Sequence, residues 1–147
     1  MKKVLFVCTL NVLRSLMAET ITNEVYGKDY AASSAGLEAK DGLPMCYDAR
    51  AALLRAGYDE KTVLSKRSHT LNAAMMKEND IIVGVTEKHA SALRERFPKY
   101  ASKVTTFPVD VIVPSSGDER GFDECFITLC EGIEKLLYSG TKKWKPK

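Results

Sequence analysis

The chain has 147 residues, 45% of them hydrophobic and 28% charged, with a net charge of +3. That is the make-up of one globular domain, 1–147, with room for a real core. No apolar run approaches the roughly 18 residues a membrane span needs, and the charge is too mild to argue for nucleic acid, so neither a membrane nor a nucleic acid is expected as a partner. The apolar run after Met1-Lys2-Lys3 is too short for a signal peptide, and a cytoplasmic location is expected.

In chain order, Lys2 to Val7 predicts a buried strand, because Val4-Leu5-Phe6-Val7 is continuously apolar. A helix follows from about Ser15 to Tyr26, ended by Gly27. Tyr30 to Ser34 predicts a second strand, turning at Ser34-Ala35-Gly36. Pro44 to Ala56 predicts a helix with Pro in its first turn and Gly57 as its C-terminal stop. Ala73 to Lys77 predicts a short helical stretch. Asp80 to Val85 predicts a buried parallel strand. Thr86 is a good N-cap for a helix from Glu87 to Phe97, with Pro98 beyond its end. Lys103 to Phe107 predicts a fourth strand, and Pro108 to Gly121 a long loop of the kind that carries function. The last helix runs from about Phe122 to Tyr138, and 139–147 is expected to be a frayed basic tail. Strands alternate with helices, so the sheet should be parallel with helices on both faces.

Between the first strand and the first helix lies Cys8-Thr9-Leu10-Asn11-Val12-Leu13-Arg14-Ser15. A cysteine at a strand end and an arginine at a helix start bracket one tight loop. Its amide N–H groups, with those of the helix N-terminus, can converge on an anion. Arg14 adds a planar fork suited to phosphate oxygens. Such a field favours a thiolate over a thiol, so the loop joins a nucleophile to an oxyanion cradle. Cys46, Cys125 and Cys130 are read as small buried hydrophobes. With no Cys-x-x-Cys pair and only His69 and His89 as imidazoles, no metal site is expected. His89, in the first turn of its helix, reads as a surface residue.

Cys8-x5-Arg14-Ser15 at the first strand, with Asn11 inside it and Met17-Ala18-Glu19 after it, resembles the phosphate loop of the low-molecular-weight protein tyrosine phosphatases. The family pattern is Cys-x-Gly-Asn-x-Cys-Arg-Ser-Pro, and this chain carries Leu10, Leu13 and Leu16 at the Gly, second Cys and Pro positions. The resemblance implies a three-layer α/β fold with a four-stranded parallel sheet in order 2-1-3-4. It implies Cys8 and Arg14 as catalytic residues and Thr9, Leu10, Asn11, Val12, Leu13, Arg14 and Ser15 as the phosphate-binding loop. Asn11, Ser15 and Ser34 would support that loop. The family's histidine that helps hold the loop Asn is replaced by Lys66. Many relatives protect the nucleophile by a disulfide to the second loop cysteine, which Leu13 removes. At Leu10 two outcomes are open: a strained, reshaped loop, or a side chain projecting to the rim.

The implied reaction is hydrolysis of a phosphate monoester through a cysteinyl-phosphate. No metal or other cofactor is implied, since the loop itself supplies the positive field. The partners would be a phosphorylated protein or small phosphate ester, with inorganic phosphate or a similar oxyanion in the loop. The family's general acid is an Asp-Pro before the last helix, where this chain reads Val113-Pro114. Asp118 and Asp110 flank that position and are the substitute candidates, Asp118 favoured because Gly117 would let it swing inward. Loss of the acid admits a second reading, a phosphate-binding or regulatory relative without turnover. Arsenate reductases share the fold, but their further cysteines after the third strand have no counterpart in Val85-Thr86-Glu87-Lys88. Protein arginine phosphatases carry Thr where this chain has Val12, so Val12 argues for phosphotyrosine-type substrates.

Overall fold

The computed structural model describes residues 1–138; the expected basic tail, 139–147, lies outside the described residues. The sheet contains β1 (Lys2–Cys8), β2 (Tyr30–Gly36), β3 (Ile81–Gly84) and β4 (Val104–Thr106), all parallel, in the order β2-β1-β3-β4. The expected strand order is therefore observed. The helices are α1 (Arg14–Tyr26), α2 (Tyr47–Arg55), α3 (Glu60–Ser65), α4 (Ala73–Glu78), α5 (Glu87–Arg96) and α6 (Glu119–Tyr138).

The apolar run of β1 is continuous because the strand is covered on both faces. Val4 and Phe6 join Leu16, Met17 and Ile21 of α1, Leu53 of α2, and Leu129 and Ile133 of α6. Leu5 and Val7 point the other way, with Ile82, Met76 of α4, and Ala90 and Leu93 of α5. Alternation along β1 thus divides the core into the two outer layers. Strand β1 lies between β2 and β3, in register Cys8 to Gly36 and Val7 to Gly84. Cys8 therefore stands at the carboxyl edge where the strand order reverses, the position from which open parallel sheets bind ligands.

Several boundaries differ from expectation. Pro44 does not begin α2; it pairs in an antiparallel bridge with Arg67, and the helix starts after Cys46. The helix α3 is a single six-residue piece capped by Asp59, whose side chain accepts the Thr62 N–H; with only Val63 buried it shows no readable period. A 3-10 turn over Pro98–Lys103 precedes β4. The helix α6 starts at Glu119 rather than Phe122, because Asp118 caps it and Gly121 lies inside its first turn. Gly57 ends α2 as expected, with its N–H on Leu54 O and the Tyr58 N–H on Leu53 O.

The α5 layer approaches the sheet closely at one point. A Cβ on Gly84 would stand 2.8 Å from Ala90 Cα and closer still to the Ala90 amide nitrogen, neither of which can yield without moving the helix. Gly84→Ala is expected to cost about 1–3 kcal/mol, the usual penalty for forcing extra volume into a packed contact. Urea denaturation of the variant against wild type checks this.

Candidate active site

The loop from Thr9 to Leu13 turns at Asn11, the single non-glycine residue with positive φ (60°) among those described. Asn tolerates this backbone better than most residues, and its side chain then locks the loop. Fully buried, it donates from Nδ2 to Ser15 Oγ at 2.8 Å and accepts the His69 N–H on Oδ1 at 2.8 Å. Ser15 Oγ, also buried, lies 2.8 Å from Cys8 Sγ. Because Asn11 donates to Ser15 Oγ, the serine's own proton is left for the sulfur. A chain of hydrogen bonds thus runs from the 66–72 segment through the loop to the thiol.

Neighbouring segments hold the loop from outside. The Leu37 and Glu38 amides donate to the Cys8 and Thr9 carbonyls, each at 2.9 Å. Gly36 permits this approach: a Cβ there would lie 2.5 Å from the Thr9 carbonyl oxygen and 2.7 Å from Ala39 Cβ. The glycine of Ser34-Ala35-Gly36 is therefore a steric requirement. On the far side the Cys46 N–H donates to the Val12 carbonyl at 2.9 Å. Ser68, which the sequence did not single out, is buried and takes the Leu43 N–H while donating to the Lys40 carbonyl.

Ser34 does not touch the loop directly. Its hydroxyl donates to Glu19 Oε1 at 2.7 Å, and Glu19 Oε2 pairs with Lys66 Nζ at 2.9 Å. Lys66, in the family's histidine position, therefore ties α1 to the segment after α3, while Ser34 ties it to the edge strand β2, and Asn11 is left to the His69 amide. Leu10 has no positive φ and is 57% exposed, so its side chain projects to the rim. Arg14, half-buried at the start of α1, donates from Nη1 to the Val111 carbonyl at 3.3 Å. No side chain caps the α1 N-terminus, which leaves its first amides facing the loop.

The 108–118 segment crosses beside Arg14. It is tied at its ends by Phe107 N–H to Gly84 O and by Gly117 N–H to Asp48 Oδ2. Val113 is exposed on it. Asp110, Asp118, Ile112 and Cys125 line a cleft of about 260 Å³ there. The inward swing expected of Asp118 is not seen: its Oδ1 accepts the Gly121 N–H at 2.9 Å and caps α6. Asp110 is exposed on the same cleft.

His89 corrects the surface reading; it is 6% exposed. Its Nδ1 accepts the Thr86 N–H at 3.1 Å within a capping box, and its Nε2 lies 3.0 Å from Thr9 Oγ1. Burial, and then the Arg14 charge, hold its pKa below the ordinary imidazole value. The other three thiols are unlike a nucleophile's. Burial raises Cys46 and pushes Cys125 and Cys130 up to about 11 each; Cys125 is buried as expected, whereas Cys46 and Cys130 are half-buried against the core.

A Cys-x5-Arg loop at the reversal of a 2-1-3-4 sheet places the protein among the small α/β phosphatases. Its family is shown directly: the chain belongs to the low molecular weight phosphotyrosine protein phosphatases, whose family model matches residues 3–145. It is 28% identical to a protein-arginine-phosphatase of Bacillus subtilis, over 97% of this chain and 96% of that protein. It is 27% identical to the low molecular weight protein-tyrosine-phosphatase Ptp of Acinetobacter johnsonii, over 84% and 87%. The crystal structure of a low molecular weight protein tyrosine phosphatase from T. tengcongensis matches with 30% identity and a TM-score of 0.83, covering 95% of this chain and 99% of that one. The chain is thus a hydrolase of the protein-phosphatase type.

The Lys66–Glu19 pair yields a stability prediction. Its side chains are only 17% and 12% exposed, so removing the cation leaves a largely buried carboxylate unpaired. Lys66→Met should cost about 2–3 kcal/mol, somewhat less than the 3–5 of a fully buried pair. Adding Glu19→Gln should recover much of that loss, since a neutral amide oxygen still accepts the Ser34 hydroxyl. Chemical denaturation of the single and double variants measures both.

Proposed function

We propose that the protein hydrolyses phosphate monoesters, protein phosphotyrosine foremost, through a phosphocysteine at Cys8. The observation that carries this reading is the 2.8 Å contact between Cys8 Sγ and Ser15 Oγ in a loop locked by Asn11. The Cys8 thiolate attacks phosphorus; the S–P bond forms as the P–O bond to the leaving group breaks. Loop amides and the Arg14 guanidinium receive the charge spreading over the equatorial oxygens. Water then attacks phosphorus, the S–P bond breaks, and inorganic phosphate leaves. The Ser15 hydroxyl stabilises the departing thiolate by donating to it. Arg14 needs only to exchange its long bond to the Val111 carbonyl for one to a phosphate oxygen.

Support for phosphotyrosine over phosphoarginine comes from Val12, apolar where arginine phosphatases carry Thr, and from the apolar rim of Leu10 and Val113. A second reading, an oxyanion-binding relative with little turnover, draws on Val113 at the acid position and on the engagement of Asp118 as a cap. Turnover of p-nitrophenyl phosphate that vanadate blocks and Cys8→Ser abolishes supports the enzyme. Vanadate or phosphate binding without turnover supports the second reading.

Two kinetic outcomes are expected. Arg14→Lys keeps a charge but loses the planar fork, and kcat/KM on p-nitrophenyl phosphate should fall on the order of 10²–10³-fold while the circular dichroism spectrum is unchanged. A variant with wild-type vanadate affinity would remove Arg14 from the anion site.

The second outcome concerns the leaving group. Without a carboxylic acid to protonate it, rates should fall steeply from p-nitrophenyl phosphate to phenyl phosphate and phosphotyrosine. Val113→Asp should flatten that dependence, with a gain on poor leaving groups within the roughly 10²–10⁴-fold worth of one proton donor. A flat dependence in the wild type would instead place a donor at Asp110 or Asp118, which Asp110→Asn and Asp118→Asn separate.

A further inference from the structure

We infer that His89 is a positioning residue for the phosphate loop, holding the Thr9 hydroxyl, and with it the residue next to Cys8, through its Nε2–H. The inference rests on the phosphatase reading of that loop. Three observations lead to it. First, the ring has a defined tautomer. Nδ1 accepts the Thr86 N–H at 3.1 Å, so Nδ1 carries the lone pair and the ring proton of the neutral imidazole sits on Nε2. Nε2–H therefore donates to Thr9 Oγ1, 3.0 Å away. Second, the ring is buried where the threonine is exposed. His89 is 6% exposed and built into the first turn of α5 by the capping box, while Thr9 is exposed at the mouth of the loop. A buried ring fixes an exposed hydroxyl. Third, Thr9 is otherwise held on its other side, where its carbonyl takes the Glu38 N–H. The two bonds clamp the Thr9 residue between the segment after β2 and the start of α5.

The clamp has a chemical consequence. With its oxygen accepting from His89, the Thr9 hydroxyl keeps its own proton as a donor at the mouth. Burial, and then the nearby Arg14 charge, favour the neutral ring, the form that has the accepting Nδ1 on which the arrangement depends. A protonated ring would present N–H to the Thr86 N–H and lose that bond.

Two substitutions separate positioning from helix capping, because each amide reproduces one ring nitrogen. His89→Asn carries an oxygen near the Nδ1 position, can accept the Thr86 N–H, and is too short for Thr9. His89→Gln carries an N–H near the Nε2 position, can reach Thr9, and loses the cap. His89→Asn is expected to melt near the wild-type temperature yet lose roughly 10- to 100-fold in kcat on p-nitrophenyl phosphate, the scale of a small misplacement of reacting groups. His89→Gln is expected to melt lower and restore most of that kcat. Thr9→Val should match His89→Asn, and the double variant should lose no more than either single one. A kcat that follows melting temperature across the series, or additive losses in the double variant, overturns the assignment. Vanadate affinity is read on the same variants. If wild type neither turns over substrate nor binds vanadate, the phosphatase reading itself fails and takes this assignment with it. If wild type is active and the amide variants do not separate as stated, only the assignment fails.

Discussion

The site depends on one carboxamide. Asn11 is wholly buried, sits at a φ of 60°, and spends both ends of its side chain inside the protein, on the His69 amide and on Ser15 Oγ. A buried polar group must be paired or it costs the full desolvation penalty, so the loop has one economical shape. That shape sets the direction of the Ser15 hydroxyl and hence its approach to Cys8 Sγ. The positive φ also turns the chain so that Thr9 can lie against Gly36 while Val12 meets Cys46. Substituting Asn11 would remove a turn residue, a donor and an acceptor together. Leu10, by contrast, projects to solvent, in a loop whose family pattern has Gly and Cys where this chain has Leu10 and Leu13.

Much of the molecule was legible in the sequence where a local signal and a global one agree. The run Val4–Val7 reads as a central strand because burial on both faces demands apolar residues without alternation. Thr86 reads as a cap because its hydroxyl meets an amide three residues on. What escaped was held by contacts between distant segments. His89 looks like any helix residue until Thr9, 80 positions away, is brought to its Nε2. Ser34 reads as a loop brace by analogy, but its partner is Glu19 of α1, which it shares with Lys66, the residue in place of the family's histidine. Asp118 looked free to swing because Gly117 precedes it, whereas the same turn delivers its carboxylate to the amide of Gly121. Asp, Ser and Asn are short groups that bond their local backbone readily, and that preference competed with the longer-range role expected of Asp118.

The two sides of the mouth are supported differently. On the β2 side, backbone carbonyls of Cys8 and Thr9 take amides from Leu37 and Glu38, and Gly36 in turn bonds His69 and Leu71. This is a stitched, main-chain wall whose one strict side-chain demand is the glycine at position 36. Toward α6, the wall is the 108–118 segment, joined to Arg14 by one long hydrogen bond and to α2 through Asp48 and Gly117. Anion binding that recruits Arg14 would release the Val111 carbonyl, so ligand and segment share a single guanidinium. The β2 side holds the Cys8–Arg14 loop through its main chain; the opposite side carries the exposed apolar residues Ile112 and Val113.

The central place of β1 in the sheet also sets an order of assembly. Its partner β3 begins 77 residues after Val4 pairs with it, and the pair closes only when Ile81 arrives. The Asn11 carboxamide waits for the His69 amide, the Thr9 hydroxyl for the α5 ring, and Arg14 for the Val111 carbonyl. Non-local pairings of this kind form late because loop closure must precede them. During synthesis Cys8 emerges among the first residues, yet the loop around it is not fully held until about 70% of the chain has followed it, up to Val111, on the order of ten seconds later at ordinary elongation rates. The thiol is therefore made early and enclosed late, and a truncated chain lacking α5 and the 108–118 segment would carry the whole Cys-x5-Arg motif without the contacts that hold its loop.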